Sequence, residues 1–339
     1  MKKTKSKKIF IGFFFLILFL GIIFYTLIFA NNSAVTGNKS ISIKIPTHSN
    51  YQNVFDIIKK SGAINDLKTF DLLASCVNYS QRIHPGLYSI KKGMSNFRII
   101  RMLYAGRQTP VNVTFNNVRL KTELAGKISK LIEADSTALL NLLNNAEYLK
   151  SIGMTPETSL LLCLPNTYEF WWNTTAEQFI QRMAKEYNEF WNQEKIEKAK
   201  QIGLTPIQIG ILASIVEQET NNKNEMSRIA GVYINRYKSG MKLQADPTVK
   251  FALQDFTIKR ILFVYTQVES PYNTYKYEGF PPGPICLPST STIEKVLNYE
   301  KHDYLFFCAK DDFSGQHIFA KTYAEHKQNA KKYQQALSN

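Results

Sequence analysis

The chain has 339 residues, 44% of them hydrophobic and 20% charged, and its 42 Lys and Arg against 27 Asp and Glu give a formal net charge of +15. That length holds two or three compact units with real cores, so size excludes no enzyme class. The basic excess favours an anionic partner. Four widely spaced cysteines (Cys76, Cys163, Cys286 and Cys308) include no CxxC pair and give no sign of a structural zinc site or a redox motif.

Met1–Lys8 carries five Lys and no acid, and Ile9–Ala30 is an uncharged run of 22 residues. As a helix that run spans ~33 Å, about one bilayer core, and reads as a transmembrane span. The flanking lysines predict a cytoplasmic N-terminus (residues 1–8), with everything after Asn31 outside the cytoplasm. A cleaved signal peptide is the rival reading, kept open by LIFANNSA around Ala30. A retained single-pass anchor in the cytoplasmic membrane is favoured, because the apolar part of a signal is normally shorter. Beyond the five N-terminal lysines, 37 Lys and Arg face 27 Asp and Glu, an excess of about +10. This fits a cell-wall polymer or a phospholipid surface, nucleic acid being the least expected partner outside the cell. Disulfides are permitted there but cannot be assigned.

Residues 31–39 are small and polar and read as a tether. Ser40–Pro46 alternates as a half-buried strand, Tyr51–Lys60 and Leu67–Val77 have helical spacing, and Leu87–Ile90 is a strand between Gly86 and Gly93. Phe97–Tyr104 closes this part as a helix. The strand–helix–helix–strand order of residues 40–108 resembles a LysM-like module, which implies binding of glycans that contain N-acetyl sugars. Residues 109–202 read as a connecting α+β region: a strand at Pro110–Phe115, a helix at Lys121–Ile132, and a helical stretch at Glu133–Leu149. Trp171 and Trp172 follow, as sugar-stacking rings, core, or a membrane-edge anchor. A capping box at Thr174–Glu177 opens a helix predicted to run to about Gln201, with Ile180, Met183, Ala184, Tyr187 and Trp191 in one stripe.

Thr205–Thr220, TPIQIGILASIVEQET, carries the most information. Thr205 as N-cap, Pro206 in the first turn and Gln208 as the capping-box partner specify a helix start. At ~100° per residue Ile207, Ile211, Leu212, Ile215 and Val216 share one apolar arc. The opposite arc holds Gly210, Ala213, Ser214 and Glu217, so Glu217 is expected to stand over a strip of small residues where a ligand or another backbone approaches closely. Glu219 points the other way, toward the apolar side, where a hydrogen-bonded structural role is the more natural expectation. A solvated surface position is the bland alternative for Glu217.

Asn224–Ser239 is the next helix, and Arg236 near its end serves equally as a complement to the helix dipole or as a ligand contact. GMKLQADPTV reads as a turn-rich segment presenting Gln244, Asp246 and Thr248. Ser270–Tyr275 and the Pro/Gly-rich Gly279–Pro288 form a rigid irregular loop of the kind on which binding sites are built. Strands at Tyr304–Ala309 and His317–Ala320 and a polar basic helix at Thr322–Leu337 end the chain.

LASIVEQET, VYINR, GMKLQADPTV, SPYNTY, GFPPGPI and HIFAKTYAEH, spaced in this order, resemble the successive signatures of the YceG-like, or MltG, endolytic murein transglycosylases. The resemblance covers most of the chain and implies an α+β protein with an N-terminal transmembrane helix, a small LysM-like subdomain and a larger mixed α+β catalytic domain at 203–339. It implies a lyase that cuts the β-1,4 bond between N-acetylmuramic acid and N-acetylglucosamine within glycan strands, leaving 1,6-anhydro ends, with no metal or organic cofactor. It puts the catalytic acid on Glu217. It also implies cleft positions for Asn235, Arg236, Gln244, Asp246, Tyr272, Asn273 and Tyr275, and membrane peptidoglycan synthases as partners of an enzyme acting on peptidoglycan. One departure stands out: Leu160, Leu161 and Asn166 replace a Glu-Gly pair and an Asp of the family pattern. A membrane-tethered glycan-binding protein without activity, and a hydrolase leaving reducing ends, are the competing readings; product analysis separates all three.

Overall fold

The computed structural model describes residues 2–338, with side chains described from Phe10 to Leu337. Its first element is α1 (Lys2–Phe29), of which Phe10–Phe29 is long and apolar enough to cross a membrane and has no residue buried within the rest of the chain. Contacts then divide the protein into two units. One holds most of the chain up to Val113 together with Lys130–Glu133 and Tyr168–Thr175; the other holds Thr114–Ser129, Ala134–Thr167 and everything from Ala176 on.

In the first unit β1 (Ile41–Ile45), α2 (Tyr51–Ser61), α3 (Leu67–Cys76), β2 (Gly86–Ile90) and α4 (Asn96–Tyr104) follow in order. β1 and β2 pair antiparallel, with Ile41 opposite Ile90 and Ile45 opposite Gly86. The alternation seen in sequence puts Ile43 and Ile45 inward, against Val54 and Ile58 of α2, Phe70 of α3 and Ile99 and Leu103 of α4. Asn50, Asp66 and Ser95 accept hydrogen bonds from first-turn backbone N–H groups, which is why the three helices start where they do. The expected tether is partly docked. Asn32, Ser33 and Val35 are buried, and the Asn32 amide donates to the Asp66 carbonyl (2.8 Å) and Asn96 Oδ1 (2.7 Å) while its oxygen accepts from the Asp66 N–H (2.7 Å). A small polar segment has become structure because one buried Asn makes three hydrogen bonds that tie it to Asp66 and Asn96.

β3 (Val111–Phe115), α5 (Lys121–Ile128), α6 (Ser136–Asn144), α7 (Ala146–Ser151) and β4 (Asn166–Phe170) come next, β3 and β4 forming a two-stranded sheet. The stretch expected as one helix at 133–149 is two, because Asp135 caps α6 and Asn145 caps α7. Likewise the helix expected to reach Gln201 breaks after Phe190: α8 (Ala176–Phe190) ends and Asn192 caps a new start for α9 (Gln193–Ile202). α10 (Pro206–Glu219) has the expected capping box, with the Gln208 N–H donating to Thr205 Oγ1 (3.2 Å) and the Thr205 N–H to Gln208 Oε1 (2.9 Å).

The remaining elements are α11 (Met226–Lys238), α12 (Asp246–Leu253), α13 (Thr290–Leu297), β5 (Phe306–Ala309), β6 (His317–Ala320) and α14 (Tyr323–Ser338). α9, α11, α12 and α13 all pack on α10, and every residue from Ile209 to Val216 is buried. α10 is thus a central helix whose middle is covered on all sides, not the two-faced helix its periodicity predicts, and only its two end turns, residues 206–208 and 217–219, are partly open. The strip of small residues is filled by the protein itself. A Cβ on Gly210 would meet Leu161 at 3.0 Å, and Ser214 Oγ accepts from the Ile285 N–H (3.0 Å) while donating to the Ile211 carbonyl (2.7 Å). The Leu161 that departs from the family pattern has this packing role.

Candidate active site

α10 ends by presenting two carboxylates to two different cavities. Successive helical residues turn by ~100°, so Glu219 lies nearly opposite Glu217. Glu217 Oε2 accepts from both the N–H (3.2 Å) and Oγ (3.0 Å) of Ser289, the residue that caps α13. It borders a cavity of about 540 Å³ with Arg119, Gln218, Lys250, Phe256 and Leu287.

Glu219 borders a different cavity, of about 400 Å³. α11 supplies Tyr233 and Arg236, three residues apart and so on one face, and the start of α12 supplies Asp246. Gln244 enters from the preceding turn with φ 52°, a left-handed conformation that reverses the chain just before α12. Tyr275 completes this side, and Phe306, Phe307, His317 and His326 line the other. The Tyr233 hydroxyl donates to Glu219 Oε1 (2.5 Å), and the Tyr275 hydroxyl donates to Asp246. Arg236 is buried; its Nη1 donates to the Leu243 carbonyl (2.6 Å), its Nη2 to Gln244 Oε1 (2.9 Å), and its guanidinium lies 5.3 Å from the Phe306 ring centre.

Burial, reinforced by the negative charge of Asp246, pushes the Glu219 carboxyl up to about 7, while the Tyr233 hydrogen bond and Lys250 pull the other way. Tyr233 is raised well above the ordinary tyrosine range by burial and by the adjacent Glu219, so it stays a donor. Burial, then Arg236, lowers His326 and keeps its imidazole neutral near pH ~7. An acid that holds its proton near neutrality, with a phenol donor and a fixed cation beside it, is suited to proton delivery onto a polar substrate.

Four of the seven expected binding residues meet here: Arg236, Gln244, Asp246 and Tyr275. The other three do not. Asn235 spends its amide on the carbonyls of His302 (2.7 Å) and Tyr304 (3.1 Å), fastening the segment before β5. Asn273 is fully buried and donates to the carbonyls of Thr266 (2.9 Å) and Val268 (2.8 Å), holding its own loop. Tyr272 packs against Phe251, with the ring planes tilted by 46°, and borders a separate cavity with Glu157. The segment expected as turns from Gln244 onward becomes helix at Asp246, with Pro247 in the first turn, where its missing N–H costs nothing.

Sequence reasoning passed over Tyr233, although its spacing from Arg236 places both on one face. It also left His317 and His326 without roles inside the HIFAKTYAEH block. His317 is held from behind: buried Glu225 accepts from its backbone N–H (2.9 Å) and lies 3.1 Å from its Nδ1. All four cysteines are free thiols.

The chain belongs to the YceG-like family, which matches residues 43–332. A protein of Bacillus subtilis (strain 168) named endolytic murein transglycosylase is 31% identical over 315 residues, with 87% of this chain and 85% of that protein covered. A protein of the same name from Streptococcus pneumoniae serotype 2 (strain D39 / NCTC 7466) is 26% identical over 328 residues; the match takes in 86% of this chain and 58% of that longer protein. The crystal structure of a yceG-like protein from Listeria monocytogenes superposes with a TM-score of 0.55 at 27% identity, covering 86% of this chain and 99% of that one.

Proposed function

We propose that this protein is a lytic murein transglycosylase that cleaves peptidoglycan within its glycan strands, and that Glu219, not Glu217, is its acid. The observation that carries the acid assignment is the cavity in which the Glu219 carboxyl meets Tyr233, Arg236, Gln244, Asp246 and Tyr275. Protonated Glu219 donates to the glycosidic oxygen as the C1–O bond breaks. The muramyl C6 hydroxyl then bonds to C1 and gives its proton to the Glu219 carboxylate, which restores the acid and leaves a 1,6-anhydro ring. One carboxyl suffices because the nucleophile belongs to the same sugar, so its effective concentration is high and no second carboxylate is needed to activate water. A carboxyl near neutrality fits both halves of this cycle. Tyr233 hydrogen-bonds the carboxylate form that appears midway.

The test is Glu219→Gln against Glu217→Gln, incubated with purified sacculi and read by mass spectrometry of the anhydro ends. Glu219→Gln should yield none and Glu217→Gln a measurable rate; the opposite pattern returns the acid to Glu217. The β1–α2–α3–β2 order supports the LysM-like reading of the first unit, with a glycan-holding role. α1 supports a single-pass anchor in the cytoplasmic membrane, its lysine-rich end inside and the cavities outside. Membrane peptidoglycan synthases are the partners that this placement and the family suggest.

A further inference from the structure

The cavity beside Glu217 has a charge pattern that the acid's own cavity does not explain. Its two acids are already engaged: Glu217 by the two donors of Ser289, and Glu123 by the backbone N–H groups of Arg119 (2.8 Å) and Leu120 (3.4 Å) at the start of α5. Its two cations are not matched in this way. The Arg119 guanidinium lies 4.7 Å from the Phe256 ring centre and donates through Nη2 to the neutral Gln218 Oε1 (3.0 Å). Lys250 lines the same cavity from α12, and neither cation belongs to an ion pair among the described residues. A half-buried guanidinium set beside a ring and tied to one amide has further N–H groups left over, in the planar fork that receives a carboxylate.

The two cavities are also linked through the fold. Gln218 lies between Glu217 and Glu219 in the last turn of α10, and α12 contributes Asp246 to one cavity and Lys250 to the other. Lys250 is close enough to Glu219 to oppose the rise in its proton affinity. A polymer cut in its interior must be held on both sides of the broken bond.

We propose that the Arg119–Lys250 cavity is a second subsite for the same strand, binding a carboxylate carried by a sugar next to the cleaved linkage. This rests on the transglycosylase reading above. Two sources offer that chemistry: the lactyl carboxylate of a muramyl residue without peptide, and a carboxylate of an attached peptide stem.

The experiment compares full-length wild type with Arg119→Gln, Arg119→Lys and Lys250→Gln. KM is measured on soluble glycan strands bearing stems, and on the same strands stripped by an amidase. Chitin oligosaccharides, which carry no carboxylate, serve as competing ligands. Arg119→Gln should raise KM about tenfold, in keeping with loss of one charge-assisted hydrogen-bonded contact, and Arg119→Lys should recover part of the loss. Inhibition by chitin oligosaccharides should keep its wild-type strength. A loss confined to stripped strands assigns the lactyl group, a loss confined to stem-bearing strands assigns the peptide, and a loss on both means that the subsite accepts either. Unchanged KM on both substrates in Arg119→Gln overturns the proposal, as does an equal weakening of chitin inhibition, which would mark Arg119 as structural. Because KM is read with Glu219 intact, failure of the acid assignment would show separately, as activity surviving in Glu219→Gln.

Discussion

Replacing Glu219 by Gln should make the protein more stable at alkaline pH while abolishing its chemistry. The ordinary carboxyl value of 4.5 is raised to about 7 in the folded protein. The native state therefore holds this proton more tightly than the unfolded chain does. Below the unfolded value both states are protonated and the residue costs nothing; as pH rises through the window between the two values the penalty grows, and above about 7 it is complete. At ~1.4 kcal/mol per unit, the full penalty is about 3 kcal/mol. Gln keeps the shape and can still accept from the Tyr233 hydroxyl, so the variant removes the buried charge with little else disturbed. Urea unfolding of the full-length proteins, followed at about pH 5 and about pH 8, should show a small gap at the lower pH and most of the 3 kcal/mol at the higher one, the variant being the more stable. A gap independent of pH would refute the reasoning, since it would mean that Glu219 ionises in the folded protein as it does in the open chain.

The same residue predicts how rate depends on pH. As general acid Glu219 must start protonated, so kcat/KM should fall above about pH 7 with the slope of one proton. Tyr233→Phe should move that limb up, by removing a hydrogen bond to the carboxylate, and Asp246→Asn should move it down, by removing a repelling charge; pH–rate profiles of the two variants shifting in the same direction would count against Glu219. Asn273→Ala strands the buried Thr266 carbonyl and frees the half-buried Val268 carbonyl, and should cost about 1–3 kcal/mol, seen as a lower melting temperature; a raised KM at unchanged stability would instead mark Asn273 as a substrate contact. Gly283→Ala places a Cβ 2.1 Å from the Glu157 carbonyl oxygen, with no flexible side chain to give way, and should cost roughly 1–3 kcal/mol or more in denaturant titration. Wild-type stability there would mean that this loop is not packed on Glu157.

Local chemistry is what made much of the fold readable. The start of α10 follows from three residues within four positions, and β1 and β6 follow from short apolar alternations with turns at their ends. The errors fall where one local signal had to be weighed against another. Asn145 and Asn192 each cut a longer apolar pattern into two helices, and Asp135 delays the start of α6, because a capping side chain satisfies backbone donors that a continuous helix would have paired itself. α13 was passed over although Ser289 precedes Ile293, Val296 and Leu297 at helical spacing, since the prolines before it read as loop.

The site asked for something that a helical wheel cannot supply. A wheel ranks the faces of α10 by polarity and bulk, and by that measure the strip of Gly210, Ala213 and Ser214 below Glu217 reads as open ground. Small residues, however, mark close approach by anything, and here the approach is made by Leu161 and by the backbone of Ile285. Glu219 read as structural because its face is apolar. That apolar face is the reason its proton is held near neutrality, so the environment that argued against a charge is the one that makes an acid. Asn235 and Asn273 differ from the expectation in the opposite direction: polar residues inside motifs, they have their amides committed to backbone carbonyls and shape the loops that carry Tyr275 and the approach to β5. Motif membership therefore marks residues that build the cavity as well as those that face it, and only the destination of each hydrogen bond separates the two.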